Sequence, residues 1–135
     1  MSISNSTQAI TRLHLEAFRN YDTLNLELGT SPVILVGENG AGKTNILEAV
    51  SLLSPGRGLR RAAIAEFHNT HTPADEPWSA FFEITGKQGN ASIGIGRDPE
   101  STFEKERRVL RIDGKSVKGQ TALAEHTNVL WLTPE

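Results

Sequence analysis

The sequence contains no cysteine, and this absence excludes several kinds of chemistry at once. Disulfide bonds, thiolate nucleophiles and cysteine-bound metal centres all require that residue. A chain without cysteine suits a reducing compartment, so we predict a cytoplasmic location. The first seven residues lack both the basic and the apolar region of a secretory signal. We therefore interpret residues 1–9 as a flexible N-terminal tail.

Long apolar runs and an excess of one charge are missing as well. No run approaches the roughly 20 apolar residues that a membrane helix needs, so no membrane partner is predicted. The formal net charge of -2 over 135 residues provides no overall basic surface for nucleic acid. Contact with DNA would therefore need a local patch, and one basic cluster is a candidate: Arg57, Arg60 and Arg61. These arginines either contact phosphate or begin a solvated helix, and the sequence leaves both interpretations open.

The composition is that of a globular domain, with 37% hydrophobic and 22% charged residues. Apolar and polar residues alternate over 10–18 and 24–28, which predicts a β-hairpin with its turn at 21–23. Residues 33–36 are apolar at every position, which is typical of a strand buried on both faces of a parallel sheet. Further alternation over 78–112 predicts a smaller antiparallel sheet, and Asp113-Gly114 after it is a strong turn signal.

The apolar period changes after residue 42, where it becomes helical. The residues that recur at this spacing predict the buried face of a helix: Ile46, Leu47, Val50 and Leu53. The polar residues of the same segment fall elsewhere on the helical wheel: Asn45, Glu48 and Ser51. A buried strand followed by an amphipathic helix is the setting in which a phosphate-binding loop occurs.

Such a loop is present over residues 37–44, which match the pattern G-x-x-x-x-G-K-[ST] at every fixed position. Its eight residues are predicted to bind nucleotide: Gly37, Glu38, Asn39, Gly40, Ala41, Gly42, Lys43 and Thr44. The glycines let the backbone wrap around a phosphate, whose charge the helix N-terminus then stabilises. Lys43 is predicted to contact the β- and γ-phosphates of ATP, and the Thr44 hydroxyl to bind Mg²⁺. A glycine-rich helix cap would not require a lysine in this register.

The acid and the water-positioning residue that phosphoryl transfer needs are harder to find. Asp113 follows an apolar run but is better explained by a turn, and the run at 129–132 has no acid directly after it. No catalytic residue is assigned, and we predict that the chain does not hydrolyse ATP by itself. Two hypotheses follow, namely an ATP-binding part of a larger ATPase and a small self-sufficient P-loop kinase.

Three segments together resemble the N-terminal part of the RecF family of bacterial DNA replication and repair proteins. They are L-E-A-F-R-N-Y at 15–21, G-E-N-G-A-G-K-T-N-I-L-E-A-V at 37–50 and S-P-G-R-G-L-R at 54–60. The resemblance implies a P-loop NTPase head of the ABC/SMC type, with a mixed sheet around the P-loop helix. It also implies that residues 10–135 are the N-terminal part of that head, with an antiparallel β-subdomain at about 78–112.

The same resemblance adds residues and partners to the predicted site. Arg19 and Asn20 would approach the nucleotide beside the P-loop. Asn45, directly after the P-loop, is the last of the residues predicted to bind nucleotide. Members of the family bind ATP and DNA, including single-stranded or gapped duplex DNA, and form an ATP-dependent homodimer. They act with recombination mediator proteins in recombinase loading, recombinational repair and the SOS response. The family's Walker B and signature motifs match no residue here, and Glu135, near the position of a Q-loop, receives no role.

Overall fold

The computed structural model describes residues 8–38, 42–54, 64–73, 76–86, 89–101, 107–119, 122–123 and 127. Six strands among these residues form one sheet in the order β2-β1-β3-β4-β5-β6, and each neighbouring pair is antiparallel. The strands are β1 (Ala9–Phe18), β2 (Tyr21–Glu27), β3 (Ser79–Gly86), β4 (Gly89–Arg97), β5 (Arg108–Ile112) and β6 (Lys115–Val117). The same described residues include one α-helix, α1 (Lys43–Ser51), and a short 3₁₀ helix, Ile64–Phe67.

The predicted hairpin is formed by β1 and β2, but its turn lies earlier than the sequence indicated. Phe18 pairs with Tyr21, so the two residues between them, Arg19 and Asn20, make the turn. Arg19 has φ 51°, a left-handed conformation that an arginine rarely adopts. The predicted turn at 21–23 is wrong because the backbone has already reversed at Arg19, which leaves Tyr21 free to begin β2.

The strands predicted between 78 and 112 are present as β3, β4 and β5, and the predicted turn after them is confirmed. Asp113 and Gly114 have φ 52° and 82° and connect β5 to β6. β3 also pairs with β1, which makes the hairpin and the later strands one continuous sheet. A mixed sheet was predicted around the helix, whereas the sheet within the described residues is wholly antiparallel. The boundaries of a separate subdomain stay a prediction, and β1 already begins at the last residue of the predicted tail.

The core lies on one face of the sheet and is centred on three aromatic rings. Phe18 stacks on Phe67 with ring centroids 5.4 Å apart, and Trp78 meets both rings edge-on at 5.7 and 5.1 Å. All three side chains are fully buried. Because Phe18 ends β1 and Phe67 ends the 3₁₀ helix, this cluster fixes the end of the β1–β2 hairpin against the segment that follows α1. Edge-on and offset aromatic pairs stabilise such contacts beyond simple burial.

Helix α1 buries only part of the face that was predicted, although Leu53, just beyond its end, is buried as predicted. Its buried residues are Glu48, Ala49 and Ser51, whereas Leu47 is 52% exposed. Ile46 and Val50 are partly buried against the core, and they also line an open apolar groove of about 650 Å³. The helical period was read correctly, but polar residues were assumed to face solvent. Glu48 has a charged partner in the core, which is what allows its burial.

The prediction of a doubly buried strand at 33–36 is wrong for this structure. These residues belong to none of the six strands, and Val33, Ile34 and Val36 are 54%, 85% and 88% exposed. Val33 and Leu35 line the same apolar groove as Ile46. A strand is buried on both faces only when paired strands and covering helices surround it, and the described residues supply neither at this position.

Candidate nucleotide-binding site

The N-terminus of α1 has the backbone features of an anion-binding loop. Gly42 caps the helix with φ 104°, a conformation that glycine adopts without a Cβ penalty. The helix begins at the next residue, Lys43, and the first helical hydrogen bond runs from the Ile46 N–H to the Gly42 carbonyl. Within the described residues no side chain caps the helix, and no acid lies in its first turn. The leading amides of α1 therefore remain available to a bound anion.

Lys43 folds back along the loop that precedes it. Its ammonium donates a hydrogen bond to the carbonyl of Gly37, so the first residue of the motif and its lysine are in contact. Gly37, Glu38 and Thr44 are exposed. Between these two ends, Asn39, Gly40 and Ala41 lie outside the described residues, and their predicted roles stay predictions.

The β1–β2 turn supports the loop at Gly42. The Tyr21 hydroxyl donates to the Gly42 carbonyl at 3.1 Å, and the Asn45 side-chain amide donates to Asn20 Oδ1 at 2.7 Å. A Cβ added at Gly42 would lie 2.5 Å from the Tyr21 hydroxyl and 2.6 Å from the Asn20 amide nitrogen. The predicted neighbours Asn20 and Asn45 are thus brought together, while Tyr21 was missed. Burial raises the pKa of Tyr21, so its hydroxyl remains a donor to higher pH than that of a solvated tyrosine would.

Arg19 lies in the same turn, but its guanidinium engages a carboxylate. Its Nε and Nη2 atoms donate to Glu48 Oε1 and Oε2 at 2.8 and 3.1 Å. The Glu48 side chain is completely buried and that of Arg19 is 22% exposed. The Arg19 guanidinium also lies 5.6 Å from the centre of the Phe67 ring, and its backbone N–H donates to the Phe67 carbonyl at 2.7 Å.

Sequence reasoning missed Glu48 as a member of this site. One signal was available, because Glu48 is an acid in the helix with no basic residue three or four positions away. An acid without local compensation can have a distant partner. The predicted contact of Arg19 and Asn20 with nucleotide stays a prediction.

Two residues were considered for the predicted Mg²⁺ site, Thr44 as a ligand and Asp113 as an additional acid. Thr44 is the second residue of α1 and is exposed, and no hydrogen bond within the described residues engages its hydroxyl. A single hydroxyl beside phosphate oxygens fits Mg²⁺, which keeps several of its waters. Asp113, the acid considered as a second ligand, instead accepts the Ser92 N–H at 2.9 Å through Oδ1. Arg57, Arg60, Arg61 and Glu135 all lie outside the described residues.

Among the residues that the structure describes, no helix is both long and apolar enough to cross a bilayer.

Comparison of the sequence with known proteins identifies its family. Residues 12–128 match the AAA domain family. RecF, the DNA replication and repair protein of Rhizobium meliloti (strain 1021), is 49% identical over 125 residues, and RecF of Rhizobium rhizogenes (strain K84) is 49% identical over the same length. Each match covers 93% of this chain, which spans about a third (32%) of the length of these curated relatives. The predicted resemblance to RecF is confirmed.

Solved structures agree in fold. The recombination mediator protein RecF–ATP of the RecFOR pathway superposes with a TM-score of 0.72 at 23% identity, over 87% of this chain and 31% of that chain. An SMC ATPase, from work on ATP-driven dimerization and DNA-stimulated activation, gives 0.68 at 17% identity, over 87% of this chain and 76% of that chain. The predicted P-loop NTPase fold of ABC/SMC-head type is therefore confirmed. The chain belongs to the AAA domain family, and over the matched span it is similar to RecF proteins.

Proposed function

We propose that this chain is the ATP-binding portion of a RecF-like DNA replication and repair protein. ATP would lie along residues 37–45, with its β- and γ-phosphates at Lys43 and Mg²⁺ at Thr44. The observation that carries the proposal is the charge at the start of α1. Lys43 is a cation in the first turn, and that turn has no acid.

A cation at this place is unfavourable unless an anion accompanies it. The helix dipole makes the N-terminus positive, so a lysine there is disfavoured by about 0.3–1 kcal/mol. A phosphate between the leading amides and the ammonium would turn both interactions favourable. The resemblance to RecF–ATP and the complete P-loop pattern support ATP as the source of that phosphate. The kinase alternative is set aside because the relatives are RecF proteins.

The wider activity of the RecF family is part of the same proposal. It comprises binding of single-stranded or gapped DNA, an ATP-dependent homodimer, and contacts with recombination mediator proteins in the cytoplasm. Its role would be recombinase loading in recombinational repair and the SOS response. The support for this part is the 49% identity to relatives named as DNA replication and repair proteins.

The test is a titration of the purified chain with ATP, with and without Mg²⁺, alongside Lys43→Ala. Removing the ammonium deletes a charge-assisted bond of about 1.5–3 kcal/mol, so affinity should fall roughly ten-fold to a hundred-fold. The matched control is Lys115→Ala, at an exposed lysine on the edge strand β6, which should bind ATP like the parent. If Lys43→Ala also bound like the parent, the loop would be only a helix cap. A parent that binds no ATP would refute the proposal outright.

A further inference from the structure

The buried carboxylate of Glu48 is the least expected feature near the phosphate loop. It lies inside α1 with a fully buried side chain, and Arg19 meets it with two hydrogen bonds at 2.8 and 3.1 Å. A paired geometry of this kind, in which two donors of one guanidinium meet two carboxylate oxygens, fixes direction as well as distance. Glu48 therefore determines where Arg19, and the chain on either side of it, can lie.

The backbone of Arg19 also needs such support. Its φ of 51° lies in the left-handed region, which costs an arginine about 1–2 kcal/mol. The structure holds this conformation from two sides, through Glu48 at the side chain and through the Phe67 carbonyl at the backbone N–H. Strain of this kind persists only where surrounding contacts enforce it, and it tends to occur at functional sites.

The two residues after Arg19 connect the turn to the phosphate loop through hydrogen bonds. Asn20 accepts a hydrogen bond from Asn45, and Tyr21 donates one to the Gly42 carbonyl. The same carbonyl accepts the Ile46 N–H that begins α1. Gly42 itself leaves no room for a Cβ between Asn20 and Tyr21. The position of the turn thus sets the position of the residue from which the anion-binding amides start.

We infer that Glu48 is a positioning residue for the phosphate site: through Arg19 it fixes the turn that holds Gly42 and the N-terminus of α1. This inference rests on the proposed function, because it concerns the affinity of that same site for ATP. Glu48 contacts no phosphate in this scheme. Its contribution is to keep the loop in its binding geometry before ATP arrives, which lowers the ordering cost of binding.

The test compares Glu48→Gln with the parent by ATP titration and by amide hydrogen exchange. Glutamine keeps the size of the side chain but replaces one acceptor oxygen by an NH₂ group, which would face an arginine donor. Loss of a residue that orients the ligands of a metal site typically lowers affinity roughly ten-fold to a hundred-fold, and we expect a loss of the same order for ATP here. We expect that loss of ATP affinity, with faster exchange of the Ile46 amide and unchanged exchange in β3 and β4. Titrations are made where thermal melts show every variant to be folded.

The matched control is Glu83→Gln, which neutralises a glutamate paired with Arg12 at 3.9 Å on the exposed face of the sheet. It should bind ATP like the parent. If Glu48→Gln lowered the melting temperature but kept the parental ATP affinity, the pair would be purely structural and the inference would fail. Failure of the proposed function would look different, because the parent would then bind no ATP or Lys43→Ala would bind equally well.

A second variant keeps the inference testable if Glu48→Gln does not fold. The double variant Arg19→Met with Glu48→Met removes both charges and fills a similar volume with apolar atoms, a replacement that buried ion pairs often tolerate. We expect it to fold and to bind ATP at least ten-fold more weakly than the parent. Parental affinity in the folded double variant would overturn the inference.

Discussion

Arg19 and Glu48 are 29 positions apart in the chain, yet two hydrogen bonds join the guanidinium of one to the carboxylate of the other. The pair connects the β1–β2 turn to the interior of α1, and its carboxylate is completely shielded from water. Because the two side chains depend on each other, a single substitution at either position also disturbs its partner, and its effect cannot be assigned to one residue. A loss of ATP binding in Arg19→Ala would not by itself place Arg19 at the nucleotide.

We predict that Arg19→Ala destabilises the fold by about 3 kcal/mol or more. The substitution removes the charge that compensates a fully buried carboxylate, and breaking such a pair from one side is strongly unfavourable. The measurement is the free energy of unfolding from urea denaturation. The Arg19→Met and Glu48→Met single variants should together lose more stability than their double variant. Additive losses would mean that the two side chains do not interact in solution.

Gly42→Ala is predicted to damage both stability and ATP binding. Alanine is strained at φ 104°, and its Cβ would lie 2.5 Å from the Tyr21 hydroxyl. Gly114→Ala is the matched control, because Gly114 also has a positive φ, 82°, but has nothing within 4 Å of an added Cβ. The control should lose about 1–2 kcal/mol of stability and keep its ATP affinity.

Urea denaturation and ATP titration of the two glycine variants separate strain from crowding. Gly42→Ala should be the less stable of the two because its alanine suffers both the backbone strain and the crowding of the added Cβ. Equal losses of stability, with ATP affinity intact in both, would show that the contact of Gly42 with the turn has no influence on the site.

The sequence predicted those parts of the site that depend on local geometry. The start of α1 and the turn at Asp113-Gly114 each depend on a glycine with a positive φ, Gly42 and Gly114, and patterns of glycine can be read directly. Alternation likewise predicted β3, because its residues 80, 82 and 84 are buried in turn.

What the sequence did not predict depends on contacts between distant segments. The burial of Glu48 requires a partner from the distant β1–β2 turn, and the helical period of the sequence does not indicate one. The exposure of Val33, Ile34 and Val36 has the opposite cause, since four consecutive apolar residues predict burial but cannot supply the neighbours that would bury them. The turn was predicted too late in the chain because Arg19 adopts a left-handed backbone conformation, and arginine is not a residue type that indicates a turn.

Two glycines of β4 provide a prediction about packing alone. A Cβ at Gly96 would lie 3.0 Å from the Trp78 carbonyl oxygen, which already accepts the Arg97 N–H at 3.1 Å. At Gly94 an added Cβ meets nothing within 4 Å. Gly96→Ala should therefore destabilise the protein by about 1–3 kcal/mol, as overpacking against a fixed backbone does. Gly94→Ala should be neutral or stabilising by about 0.5 kcal/mol, since alanine orders a strand at less entropic cost.

Thermal melts of the two β4 variants are sufficient to check this order. If Gly94→Ala were the less stable variant, the two glycines would not face the surroundings described here, and the pairing of β3 with β4 would need revision.

Tyr21 is the only tyrosine in the chain, so its ionisation can be observed without ambiguity. Its hydroxyl donates to Gly42, and burial raises its pKa above the ordinary value of about 10. The neutral phenol is therefore the form that the folded protein favours. Above pH 10 the folded chain holds this proton more tightly than the unfolded chain does, so stability falls as the pH rises further. Below pH 10 both states keep the proton and Tyr21 adds no pH dependence.

We predict that the tyrosinate absorbance of the native chain appears at higher pH than that of the chain in denaturant. The denatured midpoint should lie at about 10, and the native midpoint above it, because the folded surroundings disfavour the phenolate. Circular dichroism at each pH establishes that the chain is still folded where the comparison is made. Tyr21→Phe removes the signal and should also lose the part of the alkaline decline in stability that Tyr21 causes. Coincident native and denatured midpoints would show that Tyr21 is freely solvated in the folded chain, and the hydrogen bond that connects the turn to Gly42 would then have to be abandoned.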